Sequence, residues 1–201
     1  MAGLSLRTEA ALLPETGGTA LLIGNCYVRD LRDRLRALAT EARAGPDYAR
    51  RPAESIKRVV VHHTAGAHQD HTAESIARYH VQTNGWPGIG YHFLVHWDGR
   101  LEYVGDLLTV RYHCGRLNGT SIGLCLVGCF TNGRRPTSAQ LVRARMLLAG
   151  LREAVRPDLA VVGHRDVSAL SGYGPTECPG DWWTPGALET EGWATSRREK
   201  G

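Results

Sequence analysis

The sequence predicts an α/β domain in which a central mixed β-sheet is flanked by helices, with a helical extension at the N-terminus. Two observations predict the sheet: short β-branched runs such as residues 59–61, and a strand pair joined by a turn at Asp98 and Gly99. A third observation predicts the helices, because longer segments repeat apolar residues every three or four positions. Strands interspersed with helices are typical of a mixed sheet covered by helices.

The size and composition fit one globular domain with a small appendage. The chain has 201 residues, of which 42% are hydrophobic and 22% charged, and its formal charge of +4 is mild. That charge favours an anionic partner such as a cell wall or a nucleic acid without selecting either. No apolar run reaches membrane-spanning length, and the first residues show no secretory signal, so we expect a protein made in the cytoplasm. Its five cysteines, an odd count, argue against a disulfide framework.

Residues 1–52 are predicted to form an N-terminal arm, an amphipathic helix and a linker, separate from a main domain over residues 53–201. The first 20 residues are weakly patterned, and proline and glycine break any helix there, so we expect a loose arm. The helix is expected to pack on the domain, with short self-association or contact with a cell wall as the alternative. Its apolar face is built from Val28, Leu31, Leu35, Leu38 and Ala42.

The main domain is predicted to open with a strand over residues 58–63. Thr72 then caps a helix that runs from Ala73 to about Thr83. Residues 91–97 and 100–104 form the predicted hairpin. The remaining elements are a strand over residues 121–130, a helix capped by Thr137 or Ser138 that runs to about Val155, and a last strand over residues 160–163.

Two of these strands have histidine at or just after their C-terminal end, and a cysteine follows later on a loop rich in glycine and proline. These residues are His62 or His63, His164 and Cys178. Two imidazoles and one thiolate, with no fourth protein ligand evident, form a ligand set of the open, catalytic zinc type. Successive strand side chains face opposite ways, so only one of His62 and His63 can point into the site, and periodicity alone does not say which. A single buried histidine is usually a core residue, and the prediction therefore depends on the combination with Cys178.

Several further motifs occur in order across about residues 57–184, namely Val61-His62-His63-Thr64-Ala65, Gly85-Trp86, Ile89-Gly90-Tyr91-His92-Phe93-Leu94, Asn118 with Ser121-Ile122-Gly123, Gly163-His164-Arg165-Asp166-Val167 and Cys178-Pro179-Gly180. Together they resemble the type 2 N-acetylmuramoyl-L-alanine amidases, a family that includes bacteriophage endolysins and the animal peptidoglycan-recognition proteins. The resemblance implies the family fold, a mixed sheet flanked by helices with zinc in a surface groove. It also implies hydrolysis of the amide between the lactyl group of N-acetylmuramic acid and L-alanine in peptidoglycan.

The resemblance implies Zn²⁺ as the cofactor and His62, His164 and Cys178 as its ligands, so that the first histidine of the pair is preferred. It also implies two catalytic residues. Tyr91 matches the family tyrosine that contacts the attacking water, and Thr176 falls where some members have lysine and other active members have threonine. A threonine carries no charge, so it should stabilise an oxyanion less than a lysine does.

His92 and His113 match family positions in the groove that contact the glycan–peptide substrate. The implied partner is bacterial peptidoglycan, with no nucleic acid and no membrane, and we expect a monomer that acts on the cell wall. Cys125 stands where some bacterial cytosolic relatives carry a glutamate, as in the phage type. The cysteine pair of the animal proteins is missing between Thr64 and Tyr91, which favours a phage or bacterial origin.

Two other functions stay open at the level of sequence. One is a non-catalytic peptidoglycan-binding module on the same fold, although known binders of this family typically lose the metal cysteine, and Cys178 is present. The other is a thiol hydrolase in which His164 activates Cys178 as the nucleophile. Chelators should abolish the activity of a zinc amidase and spare that of a thiol hydrolase.

Overall fold

A computed structural model describes residues 7–12, 19–42, 47–66, 71–172 and 174–189 of the chain. The described strands are β1 (Arg7–Leu12), β2 (Thr19–Ile23), β3 (Cys26–Asp30), β4 (Arg58–His63), β5 (Phe93–Val95), β6 (Leu101–Tyr103), β7 (Ser121–Leu126) and β8 (Ala160–Gly163). The described α-helices are α1 (Arg32–Ala42), α2 (Ala73–Gln82), α3 (Ser138–Ala154) and α4 (His164–Ser171). Short 3-10 helices lie at Ala53–Ser55 and Gly115–Thr120.

The eight strands form one mixed sheet in the order β1-β2-β3-β6-β5-β7-β4-β8. The pairs β1–β2, β2–β3 and β5–β6 are antiparallel. The pairs β3–β6, β5–β7, β4–β7 and β4–β8 are parallel. The predicted α/β class and mixed central sheet are therefore confirmed.

The two faces of the sheet carry different helices. Val59 and Val61 of β4 belong to the core cluster that also contains Leu147 and Leu151 of α3. Val60 points the other way and packs with Val167 of α4. On this second side α1 and α2 also pack against the sheet, in a cluster of Leu31, Leu35, Leu38, Ala73, Ile76, Ala77, Ile89, Leu94, Val104, Cys125 and Val127. Because side chains alternate along β4, His62 shares the face of Val60, and His63 shares that of Val61.

The N-terminal segment differs from its prediction. The expected loose arm contains β1 and the start of β2 among its described residues, and the helix expected from Val28 begins at Arg32 instead. Val28 is buried in β3, which a two-residue turn at Gly24, with φ of +57°, joins to β2. The side chain of Asp30 then accepts a hydrogen bond from the Arg32 N–H at 3.0 Å where the helix starts.

The same sheet continues across the predicted boundary between residues 52 and 53. In the register of β3 with β6, Arg29 lies beside Glu102, with 3.6 Å between their charged groups. The predicted linker also packs on the domain, since Tyr48 and Arg51 are buried. The hydroxyl of Tyr48 donates to the Gly88 carbonyl at 2.8 Å.

Most elements of the main domain agree with their predictions. Thr72 caps α2 by accepting from the Ser75 N–H at 3.1 Å, and Thr137, rather than Ser138, caps α3 in the same way. The hairpin turn forms with Gly99 at a φ of +87°. Helix α4 was not predicted, and it starts at one of the candidate metal ligands. No helix in the described ranges is long and apolar enough to cross a membrane.

Candidate metal centre and substrate groove

His62 is the best buried of the three candidate ligands. Its side chain projects from the end of β4, and the residue is 2% exposed. Its Nδ1 lies 3.6 Å from the Cys178 Sγ, and its Nε2 lies 3.0 Å from the His113 Nδ1. Burial, reinforced by the neighbouring histidines, holds the pKa of His62 well below its usual value. The ring is therefore neutral at physiological pH, as metal coordination requires.

His164 reaches the same point from the start of α4, and its ring centroid lies 4.6 Å from that of His62. Asp166 fixes this helix start, because its Oδ2 accepts from the Gly163 N–H at 2.8 Å and from the Trp183 Nε1 at 2.7 Å. The indole packs so closely that a Cβ on Gly163 would lie 2.4 Å from it. Glycine is therefore required immediately before this candidate ligand.

Cys178 is held by hydrogen bonds within its own loop and to two other segments. Its carbonyl accepts from the Arg165 N–H at 2.8 Å, and its own N–H donates to the Thr176 Oγ1 at 3.1 Å. Its Sγ accepts from the His63 N–H at 3.4 Å. The peptide bond from Cys178 to Pro179 is cis. These contacts bring the loop onto the ends of β4 and α4.

The three predicted ligands converge. One ligand atom each of His62, His164 and Cys178 lies within 4.8 Å of the others. A tetrahedral zinc ion with Zn–N near 2.1 Å and Zn–S near 2.3 Å needs ligand atoms about 3.5 Å apart, so a small contraction would complete the geometry. The Nε2 of His164 is buried without a hydrogen-bond partner among the described residues. The donor set, the neutral imidazoles and the N–H donor to sulfur all fit a zinc ion.

The same surroundings disfavour a thiol nucleophile. Burial raises the pKa of Cys178 to about 12 and lowers the pKa of both His62 and His164. A thiolate–imidazolium pair of the kind that thiol hydrolases use is therefore not stable here at neutral pH. A divalent cation would lower the pKa of the thiol and stabilise the thiolate.

The three candidate ligands form part of the wall of a groove of about 370 Å³. Its lining residues are His62, Asn84, Trp86, Tyr91, Tyr112, His113, His164 and Cys178. Tyr91 lies on this wall, with its ring centroid 5.3 Å from that of His62. Burial raises the pKa of Tyr91 well above its usual value, so its hydroxyl stays protonated and able to donate a hydrogen bond. The structure thus brings Tyr91 to the predicted ligands.

His92 is not among the residues that line the groove, and its predicted contact with substrate stays a prediction. It lies just before β5, and its ring packs against that of His113, with 5.8 Å between the ring centroids. The residue is fully buried. Its Nδ1 accepts from the Gly123 N–H at 2.9 Å, and its Nε2 lies 3.0 Å from the Arg51 Nη2 and 3.2 Å from the Thr109 carbonyl oxygen. Both ring nitrogens are therefore already engaged.

His113 and Thr176 lie close to the ligands in different ways. His113 lines the groove but is only 8% exposed, and burial lowers its pKa to about 3. Thr176 is half-buried on the Cys178 loop and is not among the lining residues. Its hydroxyl oxygen supports that loop by accepting from the Cys178 N–H.

Three other groups shape the site without having been singled out as functional. Trp86 and Tyr112 form an aromatic wall with ring centroids 6.0 Å apart. A Cβ on Gly90 would lie 2.3 Å from the Tyr112 carbonyl oxygen, so only glycine fits between them. Arg51 is buried, and it donates to the carbonyls of Leu107 at 2.8 Å and Ser121 at 2.6 Å. Trp86 could have been found from its motif, whereas no sequence pattern marks Tyr112 or Arg51.

Comparisons with known proteins agree with this arrangement. The profile of the N-acetylmuramoyl-L-alanine amidase family matches residues 52–181. Peptidoglycan-recognition protein SC2 of Drosophila melanogaster is 33% identical over 136 residues, covering 64% of this chain and 70% of its own. The endolysin of Klebsiella phage KP32 is 31% identical over 146 residues, covering 68% of this chain and 91% of its own. The solved endolysin of a Thermus scotoductus bacteriophage superposes with a TM-score of 0.63 at 28% identity, covering 79% of this chain and 94% of that one.

Proposed function

The chain belongs to the N-acetylmuramoyl-L-alanine amidase family, and we propose that it is a zinc-dependent member that cleaves the amide between N-acetylmuramic acid and L-alanine in bacterial peptidoglycan. The observation that carries this proposal is the convergence of His62, His164 and Cys178 within 4.8 Å on the groove wall. Non-catalytic binding would not require a sulfur and two neutral imidazoles in a zinc-binding arrangement.

The remaining groups have roles that follow from their surroundings. A bound zinc ion would supply Lewis acidity, lowering the pKa of a water ligand to roughly 7 and polarising the scissile carbonyl. Tyr91, kept protonated by its burial, donates a hydrogen bond that orients the attacking water. Thr176 offers its hydroxyl hydrogen to the developing oxyanion, since its oxygen already accepts from the Cys178 N–H. Trp86 and Tyr112 supply apolar faces for the sugar and peptide.

In a cell, this activity corresponds to an endolysin or an autolysin. We propose that the protein is made in the cytoplasm and acts on the cell wall of a bacterium as a monomer. The mild positive charge of +4 favours approach to an anionic wall.

Digestion of purified peptidoglycan with and without a strong chelator tests the proposal. We expect new free amino groups on L-alanine with the glycan chains intact, loss of this product with chelator, and recovery on addition of Zn²⁺. Mass analysis of the released fragments identifies the bond. New reducing sugar ends would instead show a glycosidase, and wall binding without any cleavage would show a binding module.

A matched pair of cysteine variants tests the ligand set. Cys178→Ser should lose bound zinc and wall cleavage, because a hydroxyl is a far weaker ligand than a thiolate. Cys129→Ser should keep both, since Cys129 is not among the three converging residues. Zinc content by elemental analysis and cleavage by turbidity are the measurements. Equal zinc content in the two variants would contradict the assignment of Cys178.

A further inference from the structure

The ring of His113 is fixed from two sides. Asn118 Oδ1 accepts from the backbone N–H groups of His113 and Cys114, at 3.0 and 2.7 Å, which sets the chain direction at this loop. The ring then packs on Gly123 of β7, where a Cβ would lie 2.9 Å from ring carbons of His113. His113 is thus placed by its neighbours, independently of any substrate.

Metal binding by His62 would determine which of the two rings, His62 or His113, donates the hydrogen bond between them. Nδ1 of His62 faces the Cys178 Sγ at 3.6 Å, on the side where the ligands converge. A neutral imidazole that binds a metal through Nδ1 carries its hydrogen on Nε2. The His62 Nε2 must then donate, so the His113 Nδ1, 3.0 Å away, must accept.

We propose that His113 is a positioning residue of the metal centre, which fixes the tautomer and ring orientation of His62 by accepting a hydrogen bond from its Nε2. Metal-bound histidines usually donate to a carboxylate, a carbonyl or water, and their partners influence metal affinity strongly. Here a neutral imidazole takes that place. The inference rests on the proposed zinc site, and it replaces the substrate contact predicted for His113 as the main role of this residue.

Zinc affinity of two variants tests the proposal. His113→Phe keeps the ring volume and removes the acceptor, and we expect zinc to bind about 10- to 100-fold more weakly. His113→Asn keeps an acceptor, Oδ1, near the position of Nδ1, and we expect affinity within a few-fold of the parent protein. The dissociation constants are measured by competition with a chromophoric chelator. A residue that contacts only substrate would leave both constants unchanged, and that result would overturn the proposal.

A second measurement requires no variant. In the zinc-loaded protein, ¹⁵N NMR of the imidazoles should show His62 protonated at Nε2 and His113 unprotonated at Nδ1. A hydrogen on the His113 Nδ1 would overturn the inference, even if His113→Phe failed to fold. Wall cleavage is measured separately on the same samples. Zinc binding without cleavage by the parent protein would defeat the proposed amidase function and leave the role of His113 standing.

Discussion

At the scale of single residues, the position of Cys178 is set by the backbone more than by its own side chain. Its amide, its carbonyl and its sulfur each make a hydrogen bond, to Thr176, Arg165 and His63 respectively. The N–H donor from His63 reduces the cost of holding negative charge on sulfur. His63 therefore contributes to the site through its main chain, although its ring lies on the opposite face of the sheet.

Tyr91→Phe removes one hydroxyl from the groove wall and leaves the metal ligands in place. We expect turnover to fall by about 10²-fold or more, because a positioned hydrogen-bond donor to the reacting groups is lost. Zinc content should not change. Steady-state cleavage of a soluble muramyl peptide and elemental analysis check the two expectations.

The conservative control for this variant is Tyr79→Phe, which removes an exposed tyrosine hydroxyl from α2. Its turnover should equal that of the parent protein. Equal turnover for Tyr91→Phe would remove Tyr91 from the mechanism.

The residues of the site differ in how well sequence could predict them. His62, His164 and Cys178 were predictable because their motifs pair a metal-binding residue type with a strand or helix end. His92 was expected in the groove, whereas the fold buries its ring against His113, a packing that the local motif does not reveal. Arg51 could not be predicted. Its structural role depends on the carbonyls of Leu107 and Ser121, which are distant in the sequence and meet Arg51 only in the folded chain.

At the scale of elements, strand β7 lies next to β4 and packs against residues of the candidate site. Cys125 of this strand lies beside His62 in the register of β4 with β7. Two residues earlier, Gly123 leaves room for the ring of His113. Strand β7 therefore sets the distance between two imidazoles that belong to other segments.

Gly123→Ala should disturb this arrangement without touching a ligand. Its Cβ would lie 2.9 Å from the His113 ring, so the ring must leave its position beside His62 or strain the packing around it, and overpacking of this kind costs about 1–3 kcal/mol of stability. We expect weaker zinc binding and a lower melting temperature. Calorimetry and chelator competition provide the measurements.

Gly119→Ala is the matched control, because a Cβ there meets nothing within 4 Å. It should change neither zinc affinity nor melting temperature by a comparable amount. If the two variants behaved alike, close packing on β7 would not be what places His113.

The N-terminal elements show where pattern reading fails. Val28 lies three residues before Leu31, so it fitted a helical spacing, yet Cys26 and Val28 also alternate with exposed Tyr27 as in a strand. Residues 26–30 form a strand because they can pair with the edge of β6. That edge is a tertiary feature, and local periodicity carries no information about it.

At the scale of the whole molecule, several histidines are buried in their neutral form. Burial lowers the pKa of each of them below the value of about 6.5 in an unfolded chain. The unfolded chain therefore binds more protons below pH 6.5, and stability must fall as the pH falls. The affected residues are His62, His63, His80, His92, His113 and His164.

His80 gives this expectation a test outside the ligand set. Its pKa is lowered to about 4, and its Nδ1 accepts from the Gly90 N–H at 3.0 Å. In chelator, the free energy of unfolding should be constant from about pH 7 to 8, below the titration of the cysteines, and decrease between pH 6.5 and 4. His80→Asn keeps an acceptor and cannot titrate, so its profile should be flatter in that window. Urea denaturation at each pH supplies the values, and parallel profiles would contradict the assignment.

The position of β1 at one margin of the sheet has a practical consequence. Six steps across the strand order separate β1 from β4, which at the usual spacing is roughly 29 Å. A tether, label or fused module joined at the amino-terminal flank would therefore lie far from the groove beside His62. Immobilised on a support by that flank, the protein would still present its groove to material in solution.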